Sequence, residues 1–309
     1  MSEVTRPIVC VLAHNEEANI ESTVRRIIAG NRDKAPRVRV YANGCTDNTQ
    51  EVVRRLAQRH PEVELISLAR ASKPNAWNVA FHDNDEEILI FADADVSPDD
   101  GAVASIYHAF DSQPQAEIVC CQSWPDFRNS NWQQKMTGFM QIPVKQDFLI
   151  GHFYAIRRNA FLSYFQAAGL RGLPDGIAGD DAFIDQLVPR SRFVLADAKV
   201  GYVPPVFTDY YKYLARIRWQ NEQIRQFNAR NGQADRSASR SGRLTSLADK
   251  LQNNAGFGRL ALGLVSTPLR LVFKTLNHGR IESAYRRLGP VQADGAWILS
   301  SATRSESVK

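Results

Sequence analysis

The sequence predicts an α/β fold with a mostly parallel sheet and helices on both faces, followed by a basic helical C-terminal extension. Three observations carry this expectation. Short, nearly continuous apolar runs recur over residues 8–13, 38–42, 63–68 and 88–92, the pattern of strands buried on both faces. Stretches with apolar residues at helical spacing separate them. The charge is lopsided: residues 1–229 hold 25 Lys and Arg against 28 Asp and Glu, whereas residues 230–309 hold 13 against 5. The basic excess therefore belongs to the tail, and the body is close to neutral.

The elements follow in order. Residues 8–13 form strand one, and Asn15 is placed to cap the next helix. Ile20, Val24, Ile27 and Ile28 make that helix's apolar stripe, and Gly30 can end it. Residues 38–42 form strand two. Asn43-Gly44 is a turn, and Thr46 or Asp47 can cap a helix carrying Val52, Val53 and Leu56. Residues 63–68 form strand three, a helix runs over 75–82, and residues 88–92 form strand four. Ser97-Pro98 is placed to open a helix with Val103, Ile106, Tyr107 and Phe110 on one face. Residues 117–122 and 153–156 read as strands, and 181–187 as a helix. Two short strands are expected at 193–195 and 200–203, and a helix over 210–227. The expected organisation is a first domain over 1–227, a polar linker over 228–256, rich in Ser, Arg and Gly, and a basic, partly amphipathic extension over 257–309.

Composition narrows the function. At 309 residues, 44% hydrophobic and 23% charged, the chain is long enough for a large α/β core, and it is neither disordered nor fibrous in composition. No run reaches about 18 uninterrupted apolar residues, so no spanning helix is expected. Residues 1–6 are polar and lack a secretory apolar region. Cys10, Cys45, Cys120 and Cys121 show no Cys-x-x-Cys spacing, which disfavours structural zinc and a disulfide scaffold. A reducing cytosol is the expected compartment. The body shows no basic, aromatic-lined face, and no nucleic acid is expected as a partner.

Ligands of open parallel sheets bind beyond the carboxyl ends of the strands. Four polar loops leave those ends: His14-Asn15-Glu16, Asn43-Gly44-Cys45-Thr46-Asp47, Lys73-Pro74-Asn75 and Asp93-Ala94-Asp95. Two carboxylates at i and i+2 offer hard oxygen donors of the kind that hold Mg²⁺ or Mn²⁺ together with substrate phosphates. A plain turn with Asp95 as a helix cap is the other reading. No Gly-x-Gly-x-x-Gly follows strand one, and no Gly-x-x-x-x-Gly-Lys-Ser/Thr occurs anywhere. This disfavours a Rossmann dehydrogenase and a P-loop NTPase.

In order and spacing, Val11-Leu-Ala-His-Asn-Glu-Glu17, Asn43-Gly-Cys-Thr-Asp-Asn-Thr49, Lys73-Pro-Asn-Ala-Trp-Asn78 and Asp93-Ala-Asp95 resemble family 2 glycosyltransferases of the GT-A fold. The resemblance continues at Gly151 to Arg158, at Gly179-Asp180-Asp181 and at Arg218-Trp219. It implies a metal-dependent, inverting transfer of a sugar from a nucleotide-sugar to an acceptor hydroxyl on a glycan, a lipid-linked molecule or a small molecule. By the same resemblance Asp95 ligands Mn²⁺ or Mg²⁺, Asp93 lies near metal and ribose, and His14, Glu16, Asn43 and Lys73 line the nucleoside pocket. Asp181 is the implied base, oriented by Asp180. Arg218 stabilises the departing diphosphate, and Trp219 supports the acceptor side. The sequence departs from the family at Ala42-Asn43, where paired aspartates are common, and at Ala215, where the Gln of Gln-x-x-Arg-Trp falls. Because Asn43 donates as well as accepts, uridine as the donor base is in question.

Residues 257–276 carry Leu and Val with Arg259, Arg270 and Lys274, and Leu269, Val272, Phe273 and Leu276 share one helical face. Two readings stand: a helix docked on the body, or an interfacial helix holding the protein on anionic lipid at the inner face of the membrane. Two other functions compete with sugar transfer. They are a catalytically silent nucleotide-sugar binder and a sugar-phosphate nucleotidylyltransferase; the latter is disfavoured because His14-Asn15-Glu16-Glu17 is no Gly-rich loop.

Overall fold

The computed structural model describes residues 6–31, 36–128, 130–142, 146, 148–231 and 257–288. The chain divides into two compact units. One comprises Met1–Trp124, Asp147–Gly176 and Phe183–Tyr202; the other comprises Pro125–Gln146, Ile177–Ala182 and Val203–Lys309. The expected linker falls almost wholly outside the described residues, since helix continues to Arg230.

The first unit alternates strand and helix from its start: β1 (Ile8–Ala13), α1 (Ile20–Ala29), β2 (Arg37–Asn43), α2 (Thr49–Arg59), β3 (Val63–Leu68), α3 (Lys73–His82) and β4 (Ile88–Asp93). It continues with β5 (Val96–Pro98), α4 (Ala102–Ser112), β6 (Ile118–Pro125), β7 (Phe153–Arg157), α6 (Arg158–Ala167) and β8 (Phe193–Tyr202). The eight strands form one sheet in the order β3-β2-β1-β4-β7-β6-β8-β5. Pairings among β3, β2, β1 and β4 are parallel. Those of β4 with β7, β6 with β7 and β5 with β8 are antiparallel.

Every residue of β1 is buried because both faces are covered. Val9, Val11, Ala13, Val38, Val40, Ile90 and Ala92 point to one side, where Ile20, Val24, Val53, Val103 and Ile106 of α1, α2 and α4 pack. Residues of opposite parity meet an aromatic layer. Trp77 stacks on Phe91 at 4.9 Å and on Phe81 at 5.0 Å, Phe91 stacks on Tyr154, and Phe165 meets Trp77 edge-on. The Trp77 indole N–H donates to the Tyr154 hydroxyl at 2.9 Å, so the buried indole N–H of this layer is satisfied.

Four local expectations are corrected. Ser97-Pro98 does not open a helix; it ends β5, and α4 starts four residues later, after Gly101 at φ 75°. Proline is tolerated there because β5 is an edge strand. The two strands expected at 193–195 and 200–203 are one, β8, whose Ala196, Ala198 and Val200 alternate inward with exposed Asp197 and Lys199. Asn15 does not cap α1, which begins at Ile20 behind Asn19. The third helix opens at Lys73, two residues early, because the Ser72 side chain accepts from the Asn75 N–H.

The second unit is helical: α5 (Trp132–Gln141), the start of α7 (Asp180–Leu187), α8 (Tyr210–Arg230), α9 (Phe257–Leu276) and α10 (His278–Arg287). Met140, Tyr210 and Phe273 form its buried centre, with Phe207 and Tyr213 packed around them. Arg270 donates to the Met140 carbonyl at 2.8 Å. Among the described residues no helix is long and apolar enough to cross a membrane.

Candidate active site

In the first unit the loops beyond the strand ends are tied to one another. His14 Nδ1 lies 2.7 Å from the Asn43 carbonyl, and Asn43 Nδ2 donates to the Ala13 carbonyl at 2.8 Å. Asn15 sits in the left-handed region at φ 54°, and its Oδ1 accepts from the Thr46 N–H at 2.8 Å. This is the work that replaces helix capping. The Glu16 N–H donates to Thr49 Oγ1, and Glu17 accepts from the Asn48 N–H. Gly44 at φ 56° packs so closely on Ala71 that a Cβ would lie 2.5 Å from its backbone nitrogen. Glycine is required there on both counts.

These bonds decide what each predicted residue presents. His14, Glu16 and Asn43 are buried, and Asn43 is fully so. Glu16 Oε2 accepts from Asn19 Nδ2 at 3.0 Å. These three fix the loops from beneath. Asn43 Oδ1 is shut off from solvent and has no hydrogen-bond partner among the described residues.

The acidic turn is held more openly. Asp93 is the last residue of β4, and its N–H donates to the His152 carbonyl at 3.0 Å. Ala94 and Val96 are buried while Asp95 between them is exposed. The Thr23 hydroxyl of α1 lies 2.9 Å from both the Ala94 and the Val96 carbonyl oxygens and pins the turn on either side of Asp95. Lys73 Nζ lies 2.8 Å from Asp93 Oδ1. The result is one exposed carboxylate beside a carboxylate–ammonium pair.

This donor set fits a divalent ion held jointly with a substrate. Mg²⁺ and Mn²⁺ sites of that kind use one or two carboxylates and take their remaining oxygens from phosphates and water. It does not form an all-protein cage: no group of three or more His, Cys, Asp or Glu side chains converges among the described residues.

The remaining predicted residues lie in the second unit. Asp180 is buried at the start of α7, and Asp181, half-buried, accepts from the Ala182 N–H at 2.7 Å. Trp219 is buried on α8. Arg218 is exposed and pairs with Glu282 of α10 at 2.6 Å, and its guanidinium lies 4.3 Å over the Tyr285 ring. Residues that the motifs did not mark also take part. Gln220 Nε2 donates to the Ala178 carbonyl, and Gln223 Oε1 accepts from the Ala178 N–H, both at 3.0 Å, holding the segment before Asp180 on α8. Their spacing on a helix was visible in the sequence; their partner was not.

A model of the family described as glycosyl transferase family 2 matches residues 8–170, more than half of the chain. No curated protein matches. Among solved structures, the chain is similar to the mannosyltransferase PcManGT of Pyrobaculum calidifontis in complex with GDP-Man and Mn²⁺. Identity is 20%, 88% of this chain and 86% of that one are covered, and the TM-score is 0.53. Glucosyl-3-phosphoglycerate synthase of Mycobacterium tuberculosis, solved with Mn²⁺, UDP-Glc and phosphoglyceric acid, is 18% identical over 75% and 82% of the two chains, with a TM-score of 0.48.

Proposed function

The chain belongs to glycosyl transferase family 2, and from that membership and the acidic turn after β4 we propose a metal-dependent, inverting transfer of a sugar from a nucleotide-sugar to an acceptor hydroxyl. The observation that carries the metal-dependent half is exposed Asp95 beside Asp93, in a turn pinned by Thr23. Asp95 would hold Mn²⁺ or Mg²⁺, with Asp93 beside it. When bound, such an ion offsets charge on the leaving diphosphate. Lys73 offers a second positive charge, oriented by Asp93. His14, Glu16 and Asn43 set the backbone of the nucleoside loops from below. Asp181 would take the proton of the acceptor hydroxyl as it attacks the sugar carbon opposite the leaving group, with Asp180 orienting it. An arginine of α8 would offset the leaving group's charge, the role that the motif gives to Arg218, and Trp219 would support the acceptor side.

GDP-mannose, held by the similar mannosyltransferase, is the first donor to test, followed by UDP-, dTDP-, ADP- and CMP-sugars. Nucleotide release with Mn²⁺ and a panel of glycan, lipid-linked and small acceptors separates transfer from silent binding. Turnover by the wild type that Asp181→Asn abolishes supports the reading. Nucleotide binding without turnover on any acceptor supports a silent binder.

We also propose an anionic membrane surface as a partner of the α9–α10 pair. Residues 257–288 carry six Lys and Arg against Glu282 alone, and the pair is the appendage that the charge distribution predicts. Phe273 is buried, which favours docking of α9, yet Leu269, Leu271, Val272 and Leu276 are 47%, 66%, 54% and 79% exposed. Apolar residues gathered beside cations are the composition of an interfacial helix. Flotation with phosphatidylglycerol-containing vesicles at low salt tests this. Binding lost in pure phosphatidylcholine is the expected result, and no binding to either ends the idea.

A further inference from the structure

Three polar residues of α3, Asn75, Asn78 and His82, fall at spacings of three and four and so share one stripe. Lys73 lies two residues before Asn75, 200° around the helix, and reaches Asp93 instead. The stripe looks the other way, toward the turn over residues 170–175 that follows α6. Asn78 Oδ1 accepts from the Leu173 N–H at 2.7 Å, and its Nδ2 donates to the Leu173 carbonyl at 2.9 Å. His82 Nε2 lies 2.9 Å from the Arg171 carbonyl. Gly172 packs so tightly on Asn78 that a Cβ would lie 2.4 Å from its Oδ1. Arg70, 3.2 Å from Asp175, ties the end of the turn to the loop before α3. Between helix and turn these contacts leave an open cavity of about 320 Å³, lined also by Leu170, Leu173 and Pro174. Its polar lining is cationic, with Arg70 and Arg171 against one carboxylate, Asp175. The exposed Arg171 guanidinium meets no carboxylate among the described residues, and the half-buried Asn75 carboxamide has no hydrogen-bond partner among them. Helix and turn are already fastened to each other, so the cavity is formed before any ligand arrives.

We propose that this cavity is a binding site of its own, separate from the rim of Asp93 and Asp95, for a small phosphate monoester such as a sugar phosphate. Guanidinium groups match phosphate oxygens two at a time, and the Asn75 carboxamide adds a neutral donor. Leu170, Leu173 and Pro174 offer apolar contact to the carbon skeleton of an ester. The volume is at the small end of the range for ligand pockets, about 300–1,000 Å³, which suits a sugar phosphate better than a nucleotide-sugar. None of these side chains has a part in the transfer proposed above, so the inference stands without it.

The test is calorimetric titration of the full chain, without metal, with glucose 6-phosphate and separately with inorganic phosphate. At about pH 7.5 both are mostly dianions. Glucose 6-phosphate is expected to bind. Its affinity should fall about tenfold or more in Arg171→Ala and about threefold in Asn75→Ala, and Arg171→Lys should recover part of the loss. Neither side chain has a partner to lose among the described residues, so thermal midpoints without ligand should stay at the wild-type value. Arg54→Ala removes an exposed arginine of α2 and should leave the affinity unchanged. Absence of binding by either ligand at millimolar concentration overturns the proposal. So does binding that Arg171→Ala leaves intact, or that Arg54→Ala weakens equally. Inorganic phosphate bound as tightly as the ester, and equally sensitive to Arg171→Ala, supports a phosphoryl site and overturns the ester as its occupant.

Discussion

Lys73 Nζ lies 2.8 Å from Asp93 Oδ1, joining the first turn of α3 to the last residue of β4. The pair sets the two aspartates of the turn apart: Asp93 is matched by a cation, and Asp95 is exposed with no ion pair among the described residues. Lys73→Ala is therefore expected to weaken nucleotide-sugar binding by about tenfold or more, the scale of a charge-assisted hydrogen bond. Calorimetric titration of GDP-mannose and UDP-glucose with Mn²⁺ measures it. Lys73→Arg keeps the charge and is expected to recover part of the loss.

Thr23 lies in α1, far in sequence from the turn it pins. Thr23→Val keeps the shape and removes the hydroxyl, leaving buried carbonyl oxygens without their donor. A stability loss of about 1–3 kcal/mol is expected in denaturant unfolding. Weaker Mn²⁺-dependent nucleotide binding should accompany it, because Asp95 depends on the same turn.

Asp47 lies where the first two loops meet. Burial acts to raise its pKa, but the Thr49 hydroxyl and the N–H groups of Thr49 and Glu17 outweigh it, so the carboxyl is held below its ordinary range. A depressed folded value means that the unfolded chain takes up the proton first on acidification. The stabilisation is full above the ordinary aspartate value of about 3.9 and is lost as pH falls through the lower folded value. The midpoint difference between wild type and Asp47→Asn should be constant near neutrality and shrink below about pH 4.

Cys10 is fully buried, and burial pushes its thiol up to about 12; burial also holds Cys121 well above its ordinary range. Cys45 is only half-buried, though burial raises it too. Iodoacetamide at pH 8 should modify Cys45 before Cys10 or Cys121, and all four thiols once the chain is unfolded. Peptide mass spectrometry reads the order.

The parallel half of the sheet was legible because β1 to β4 are buried on both faces, so each reads as an apolar run. The antiparallel half was harder. Its pairings join residues distant in the chain, such as Ile118 with Ile156, and no local pattern names such partners. Asp197 and Lys199 broke the apolar run of β8 because they point outward. Pro98 resembled a helix start because the signal for a first turn and the tolerance of an edge strand fall on the same residue type. At the site, loop position and residue type were readable. Which polar side chains turn inward was not: His14, Glu16 and Asn43 fasten loops, a role set by contacts some 30 residues away.

The most direct measurement of the central claim is the thermal midpoint of wild type and Asp95→Ala with GDP-mannose or UDP-glucose, each with and without Mn²⁺. A ligand that binds the native state raises the midpoint by mass action. The wild type is expected to show a rise that needs both nucleotide-sugar and Mn²⁺, and Asp95→Ala none. An equal, Mn²⁺-dependent rise in Asp95→Ala, or a wild-type rise indifferent to Mn²⁺, would contradict it.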